Sequence, residues 1–287
     1  MSASTDTVPP QFDDENPHRD RNYDATRFDG RVAIVTGGGS RANGIGNGRA
    51  SALLLARRGA SILVLDHDLQ AAQATADRIR SEGGIAQAMH ADVSDEGACK
   101  ASVDLAVSMW GRVDVLVNNV GIGGPPGDAT QLDLEAWDRA MRVNVTSMML
   151  MARYAVPVMA AQGKGAIVNL ASVAGLLGSY TGLLYQTSKG AVVNMTRGMA
   201  TQHAAQGIRA NCVAPGMVYT PMVYAGGMSA EVREARRKRS LLRTEGSGWD
   251  VGEAVAFLAS DAARWITGAV LPVDAGTTAT SGRLAAG

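Results

Sequence analysis

The chain has 287 residues, 46% of them hydrophobic, which is ample for a sizeable core, and its 27 basic and 27 acidic residues cancel to a formal net charge of zero. Balanced charge leaves no overall field to draw nucleic acid or an anionic membrane, so a small molecule is the expected partner. Two cysteines, Cys99 and Cys212, and four histidines, His18, His67, His90 and His203, supply neither a disulfide framework nor metal-ligand spacing, and a reducing cytoplasm is expected.

Residues 1–29 carry Pro9-Pro10 and Asp13-Asp14-Glu15-Asn16-Pro17 with almost no aliphatics. Such a stretch buries too little surface to offset the entropy of ordering and is expected to be a flexible N-terminal arm, with Phe12, Tyr23 and Phe28 as candidate anchors onto a neighbouring subunit. It has no apolar run of the kind found in signal peptides, and no apolar span of about eighteen residues follows, so no membrane partner is expected.

From Arg31 onward short apolar runs alternate with long helical stretches, the pattern of repeated strand–helix units and a parallel sheet. The candidate strands are Val32–Thr36, Ser61–Leu65, Ala86–His90, Val113–Asn118, Ala166–Leu170, Arg209–Val213 and Val270–Val273. Their near-continuous apolar character implies burial on both faces, and in such sheets ligands sit beyond the carboxyl ends of the strands. Two long helices are expected over about 132–162 and 183–205.

Directly after the first strand comes Thr36-Gly37-Gly38-Gly39-Ser40-Arg41-Ala42-Asn43-Gly44-Ile45-Gly46-Asn47-Gly48, running into the helical Arg49 to Ala56. A glycine-rich turn between strand and helix lets backbone N–H groups approach a diphosphate while the helix dipole favours its charge. The second strand ends at Asp66, about twenty residues past the loop. A carboxylate there accepts hydrogen bonds from an adenosine ribose and repels a 2′-phosphate, which favours NAD over NADP, although Arg41 and His67 would soften that repulsion. The competing structural role for Asp66 is to open the next helix as a cap together with Asp68. These features predict an α/β fold: one Rossmann-type, doubly wound parallel sheet of about seven strands flanked by helices, in a single domain over residues 30–287.

Further along, Tyr185 and Lys189 stand four positions apart, on one face of a helix. A phenol titrates near ~10, and a fixed positive charge beside it favours the phenolate, the setting of a general acid or base. Four lysines (Lys100, Lys164, Lys189, Lys238) stand against 23 arginines, so a lysine at 189 is not the compositional default.

Taken in order, these segments resemble the classical short-chain dehydrogenase/reductase family over about residues 31–276. Thr36-Gly37 with Gly44-Ile45-Gly46 resembles its cofactor loop, in which Ser40 also falls; Asp92-Val93 resembles the acidic pair that contacts adenine; Asn118-Asn119-Val120-Gly121 resembles its Asn-Asn-x-Gly segment. Asn144 and Ser172, the latter thirteen residues before Tyr185, fall where the family carries the other members of its catalytic tetrad. Pro215-Gly216 follows the sixth strand, Val218 counts with them among the expected cofactor-binding residues, and Thr220 resembles the threonine that contacts the nicotinamide carboxamide. The loop departs from the pattern, because six residues separate Gly37 from Gly44, and two registers fit: Ile45 as the diphosphate-facing amide, which we favour here, or Gly48 in the third glycine's place.

The resemblance implies hydride transfer between nicotinamide and a carbinol or carbonyl carbon. Tyr185 acts as acid or base, Lys189 poises it and holds the ribose, Ser172 polarises the substrate oxygen, and Asn144 keeps a water in line for a relay to Lys189. It also implies a homotetramer, or a dimer, packed through the two long helices. Residues 217–245 are expected to form a substrate lid with apolar walls, completed by Leu176, Leu177 and the loop 123–126, suited to an apolar secondary alcohol or ketone, cyclic ones included. The basic run Arg233 to Arg239 is read as a solvated helix face because Glu231 and Glu234 intersperse with it, while grip on an acyl carrier would suit the alternative, a 3-oxoacyl-thioester reductase. A non-catalytic NAD-sensing protein is the alternative from another class, and an enoyl reductase is disfavoured by the short Tyr–Lys interval.

Overall fold

Seven strands form one sheet: β1 (Val32–Thr36), β2 (Ser61–Asp66), β3 (Ile85–His90), β4 (Val115–Asn118), β5 (Gly165–Leu170), β6 (Ile208–Pro215) and β7 (Val270–Val273). Their order is β3-β2-β1-β4-β5-β6-β7 and every neighbouring pair is parallel. The computed structural model describes residues 24–40, 44–178 and 182–280. Nine helices connect and cover the strands among these residues: α1 (Asn47–Arg57), α2 (Leu69–Ser81), α3 (Glu96–Trp110), α4 (Leu134–Met141), α5 (Ser147–Ala161), α6 (Leu183–His203), α7 (Pro221–Tyr224), α8 (Ala230–Arg237) and α9 (Gly248–Ala259).

Strand alternation explains the layers. Ala33 and Val35 of β1 join the core under α1, α2 and α9, whereas Val32 and Ile34 face the core under α3, α5 and α6. Both faces are buried, which is why the strands read as unbroken apolar runs. The strand order reverses between β1 and β4, and such a switch point opens a crevice at the carboxyl edge.

Several boundaries differ from the sequence reading. β6 runs on to Pro215 because its pairing with β7 extends to Pro215↔Val273. The single helix expected over 132–162 is divided by a π-helical turn, Arg142–Thr146, centred on the buried Asn144. Phe28, grouped with the arm, is fully buried in this chain's own core, its N–H donates to Arg58 O at 2.7 Å, and Ala25 O accepts from Ala262 N at 3.0 Å. The packed chain thus starts before residue 30, while Phe12 and Tyr23 lie outside the described residues. Among the described residues no helix is long and apolar enough to cross a membrane.

Candidate active site

A cavity of about 550 Å³ follows the carboxyl edge of the sheet from Asp66 and Asp92 at one end to Tyr185, Lys189 and Thr220 at the other. Its spine is the β1–β4 crossover. Asn119, just past β4, donates from Nδ2 to Thr36 O (3.2 Å) and Gly37 O (2.9 Å), and from its backbone N–H to Thr36 Oγ1 (3.0 Å). These bonds hold the first turn after β1 open toward the crevice.

The packing of the glycine-rich segment fits the second of the two registers. α1 begins at Asn47, with Gly46 as N-cap. A Cβ on Gly48 would stand 2.0 Å from Gly37 O and 2.5 Å from Asn119 Nδ2, so this glycine is what lets the helix meet the strand. Gly37, with φ +61°, Ser40, Gly46, Asn47 and Gly48 line the cavity, together with Gly39. Gly44 and Ile45 do not. Ile45 packs against the core beneath α9, and Gly44 is pressed on the lid, where an added Cβ would meet Tyr224 Oη at 2.0 Å. Ile45, favoured from the sequence as the diphosphate-facing amide, thus stands off the cavity, whose lining here is Gly46 and the first residues of α1, while Gly44 meets Tyr224 and Pro221 instead. Arg41 lies outside the described residues.

At one end, Asp66 lines the cavity with its carboxylate already anchored: Oδ2 accepts from Gly39 N (3.0 Å) and Oδ1 from Asp68 N (3.1 Å), with His67 Nδ1 3.0 Å away. Asp68 caps α2, accepting from Gln70 N and Ala71 N, so the capping role belongs to Asp68 and leaves Asp66 to the crevice. Asp92 and Val93 also line it, and the Ser94 hydroxyl bonded to Asp92 (2.7 Å) holds that carboxyl below its ordinary range. Arg139 of α4 adds a cation to the lining that periodicity alone could not bring here.

At the other end α6 places Tyr185 and Lys189 one turn apart, both lining the cavity, with Lys189 Nζ 5.8 Å from the Tyr185 ring centroid. Lys189 is only 4% exposed and donates to Leu170 O at 2.9 Å. Burial pushes its ammonium down to about 8. Gly121 is the contact point, since a Cβ there would lie 3.0 Å from Lys189 Nζ and 3.5 Å from Asn144 Oδ1. Asn144 spends its amide on the protein: Oδ1 accepts from Ile122 N (2.7 Å), and Nδ2 donates to Ile122 O (2.9 Å) and Ser188 Oγ (3.0 Å). Ser172 caps the short 3₁₀ turn Val173–Gly175, accepting from Ala174 N at 3.2 Å, and follows Ala171, which lines the cavity. That turn sits on α6 so closely that a Cβ on Gly175 would be 2.5 Å from the Lys189 carbonyl carbon.

The segment after β6 closes the front. Pro215 and Thr220 line the cavity, joined by Pro221 and Met222 of α7. Gly216 and Val218 do not; a Cβ on Gly216 would clash with Asp274 Cβ at 2.6 Å, and Val218 forms an isolated bridge with Gly246. Both shape the turn from behind. Met222 is 54% exposed in the lining, whereas Leu176, half-buried, and Leu177, exposed, expected from the sequence to complete these walls, do not line the cavity. In α8, Arg237 pairs with Glu234 at 2.7 Å, and Arg233 pairs with Glu245 and lies over the Tyr219 ring at 3.8 Å, so part of the basic run is paired within the helix and its neighbouring turn. No group of His, Cys, Asp or Glu suited to a metal occurs among the described residues.

This lining suits a dinucleotide: a helix N-terminus and glycine turn for a diphosphate, and an anchored carboxylate for ribose hydroxyls. The family model described as Enoyl-(Acyl carrier protein) reductase matches residues 38–278. The chain is 41% identical to cis-4-hydroxycyclohexanecarboxylate dehydrogenase of Sinomonas cyclohexanicum over 88% of this chain and 98% of the relative. It is 38% identical to cyclohexanol dehydrogenase of Acinetobacter sp. (strain SE19) over 87% and 96%. A solved 7α-hydroxysteroid dehydrogenase complexed with NADH and 7-oxo glycochenodeoxycholic acid superposes with TM-score 0.81 at 33% identity, covering 88% of this chain and 96% of that one. All three relatives are dehydrogenases of secondary alcohols. With the fold, the crevice and the order of its residues agreeing along the same stretch, the chain belongs to the short-chain dehydrogenase/reductase family of oxidoreductases.

Proposed function

We propose that the protein is an NAD(H)-dependent dehydrogenase of apolar secondary alcohols, with Tyr185 as general acid/base. The observation that carries this reading is the sealed Lys189 ammonium 5.8 Å from the Tyr185 ring, both at the end of a crevice that begins at a glycine turn. The chemistry supplied by a bound nicotinamide is exchange of a hydride with the carbinol carbon.

Tyr185 Oη takes the proton of the alcohol during oxidation and returns it during reduction, and the Lys189 charge stabilises the phenol oxygen as it gives up its proton. Ser172 Oγ, which accepts only from Ala174 N among the bonds of its turn, keeps its proton for the substrate oxygen. Asn144 acts as a positioning residue: by clamping both backbone groups of Ile122 it fixes the Gly121–Ile122 wall against Lys189. Asn144 sits in the π-helical turn, beside Lys189 across Gly121, where it would keep a water in line for the relay. Gly37, Ser40 and Gly46 to Gly48 hold the diphosphate, Asp66 the adenosine ribose, Asp92, Val93 and Asn119 the adenine side, and Thr220 the nicotinamide amide.

The apolar Met222 and Pro221 in the cavity lining, and the relatives named for cyclohexanols, support a cyclic alcohol. The reading includes a homotetramer, checked by light scattering at micromolar concentration. The deciding experiment follows NADH formation from NAD with cyclohexanols, polyols and hydroxyacyl thioesters, running Tyr185→Phe in parallel. Turnover of cyclohexanols that collapses in the variant supports the proposal; turnover of thioesters alone moves the substrate to an acyl carrier, the class that the matching family model's description names.

A further inference from the structure

We infer that Tyr224 is a positioning residue that latches the short helix α7 onto Gly44, so that the crevice exchanges a dinucleotide only when this contact parts. The inference rests on the dinucleotide reading of the crevice and deepens it.

The glycine-rich turn with the start of α1 forms one wall of the crevice, and the lining also includes Thr220, Pro221 and Met222 from the segment after β6. Gly44 and Tyr224 stand outside the lining, yet they are where these two segments touch. A Cβ on Gly44 would lie 2.0 Å from Tyr224 Oη, 3.3 Å from Tyr224 Cζ and 2.9 Å from Pro221 Cγ, so any larger residue at 44 would hold α7 away. Both residues keep partial solvent exposure, which makes their contact a bridge at the surface.

Each half of this bridge is braced from behind. Gly44 O accepts from Arg49 Nη1 (3.1 Å), Arg49 Nε donates to Thr75 Oγ1 of α2 (2.9 Å), and Thr75 Oγ1 donates to Gly38 O (2.9 Å). On the other half, the Tyr224 and Tyr219 rings have centroids 4.6 Å apart, and Arg233, paired with Glu245, lies over Tyr219. Between the halves no hydrogen bond runs from Gly44 to α7 among the described residues, so van der Waals contact joins them. Two braced halves with a weak join part as units. A hinge follows α7 directly, at the exposed Gly226-Gly227, where Gly227 has φ +88°. Such a latch slows entry and departure together, because both need the same opening, and it leaves their ratio largely unmoved. A contact made with the ligand itself acts mainly on departure.

The test is stopped-flow fluorescence of NADH binding to folded wild type, Tyr224→Ala, Gly44→Ala and the double variant. Tyr224→Ala removes the latching ring and Gly44→Ala wedges it away, so each is expected to raise kon and koff together by about fivefold while Kd moves less than about threefold. The double variant should match the faster single one, because one contact is broken only once. Unchanged rates in both single variants overturn the inference. So does a rise in koff alone, which would make Tyr224 a contact of the dinucleotide, and so do effects that multiply in the double variant, which would mean that the two residues act separately. Failure of folded wild type to bind NADH, by calorimetry as well, overturns the dinucleotide reading and the latch with it, a result seen without any variant and therefore distinct from the others.

Discussion

Lys189 Nζ donates to the Leu170 carbonyl at 2.9 Å, an ammonium sealed between β5 and α6 with no carboxylate beside it. Its burial is a cost that the fold carries for chemistry. The native group titrates near 8 against an ordinary 10.5, a gap of roughly 3 kcal/mol at neutral pH. Replacing it by methionine, similar in length and apolar, removes that cost and forfeits the bond to Leu170 O, itself about 1 kcal/mol. Lys189→Met is expected to be inactive yet more stable than wild type by about 1–2 kcal/mol at pH 7 in denaturant titrations. The sign with pH follows. Between 8 and 10.5 the unfolded lysine binds more proton than the native one, so wild-type stability rises with pH and the variant's advantage shrinks across that window. An advantage that grows with pH would contradict the assignment.

Tyr185→Phe keeps the ring over Lys189 and removes one oxygen. General acid–base catalysis typically contributes about 10²–10⁴-fold, so kcat with a responding alcohol should fall by that factor while NADH affinity by fluorescence changes less than about threefold. A comparable loss of cofactor affinity would show that the phenol serves binding and not proton transfer.

Gly46 and Gly48 separate the two registers of the loop by experiment. A Cβ on Gly46 has open space, with Ser40 Oγ 3.9 Å away, whereas one on Gly48 meets the backbone oxygen of Gly37 at 2.0 Å. Gly48→Ala must push α1 off the sheet and is expected to lose about 1–3 kcal/mol of stability, against less than about 1 kcal/mol for Gly46→Ala. Thermal unfolding of both variants checks the contrast, and equal losses would return the third-glycine role to Gly46.

How much of this was legible in the sequence depends on the distance over which each constraint acts. The strands were readable because burial on both faces is written into consecutive residues, and Tyr185 and Lys189 because one helical turn links them. The register of the loop was not, because what demands a glycine at 48 is the Gly37 carbonyl and the Asn119 amide, the latter 71 residues away. An interruption at Val143–Thr146 with Asn144 satisfying backbone groups was one reading of the sequence, but its partner, Ile122, lies on another segment and could not be named from the sequence. The burial of Phe28 escaped notice for the same reason, since composition made its neighbourhood look unable to fold while the cover comes from the main body of the chain.

Ala275 adopts φ +50° in the turn after β7, a left-handed conformation that costs a residue with a Cβ about 1–2 kcal/mol. Glycine relieves it but gains freedom in the unfolded chain worth about 0.4–1 kcal/mol. Ala275→Gly is therefore expected to stabilise the protein by about 0.5–1 kcal/mol, read as a small rise in Tm. A fall in Tm would mean that the Cβ packs favourably enough to outweigh its strain.

Asp66 tests the cofactor preference. Its two oxygens already accept from Gly39 N and Asp68 N, so the carboxylate is held rigidly at the edge of the crevice and cannot swing away from an incoming group. Ribose hydroxyls can donate to its remaining lone pairs, while a 2′-phosphate would have to approach the same negative charge. Wild type is thus expected to use NAD better than NADP. Asp66→Ser removes the charge, keeps a small acceptor for Gly39 N, and leaves His67 beside the site, so kcat/KM with NADP should rise and that with NAD fall. A combined change of about 10–100-fold in their ratio corresponds to roughly 1.4–2.8 kcal/mol, the size expected for a close pair of like charges partly screened by solvent. Steady-state rates with both cofactors decide it, and because charge repulsion is screened by salt, the wild-type preference should narrow between 50 mM and 500 mM NaCl whereas that of Asp66→Ser should not. A preference for NADP in wild type, or one indifferent to Asp66→Ser, would move the discriminating charge away from this carboxylate.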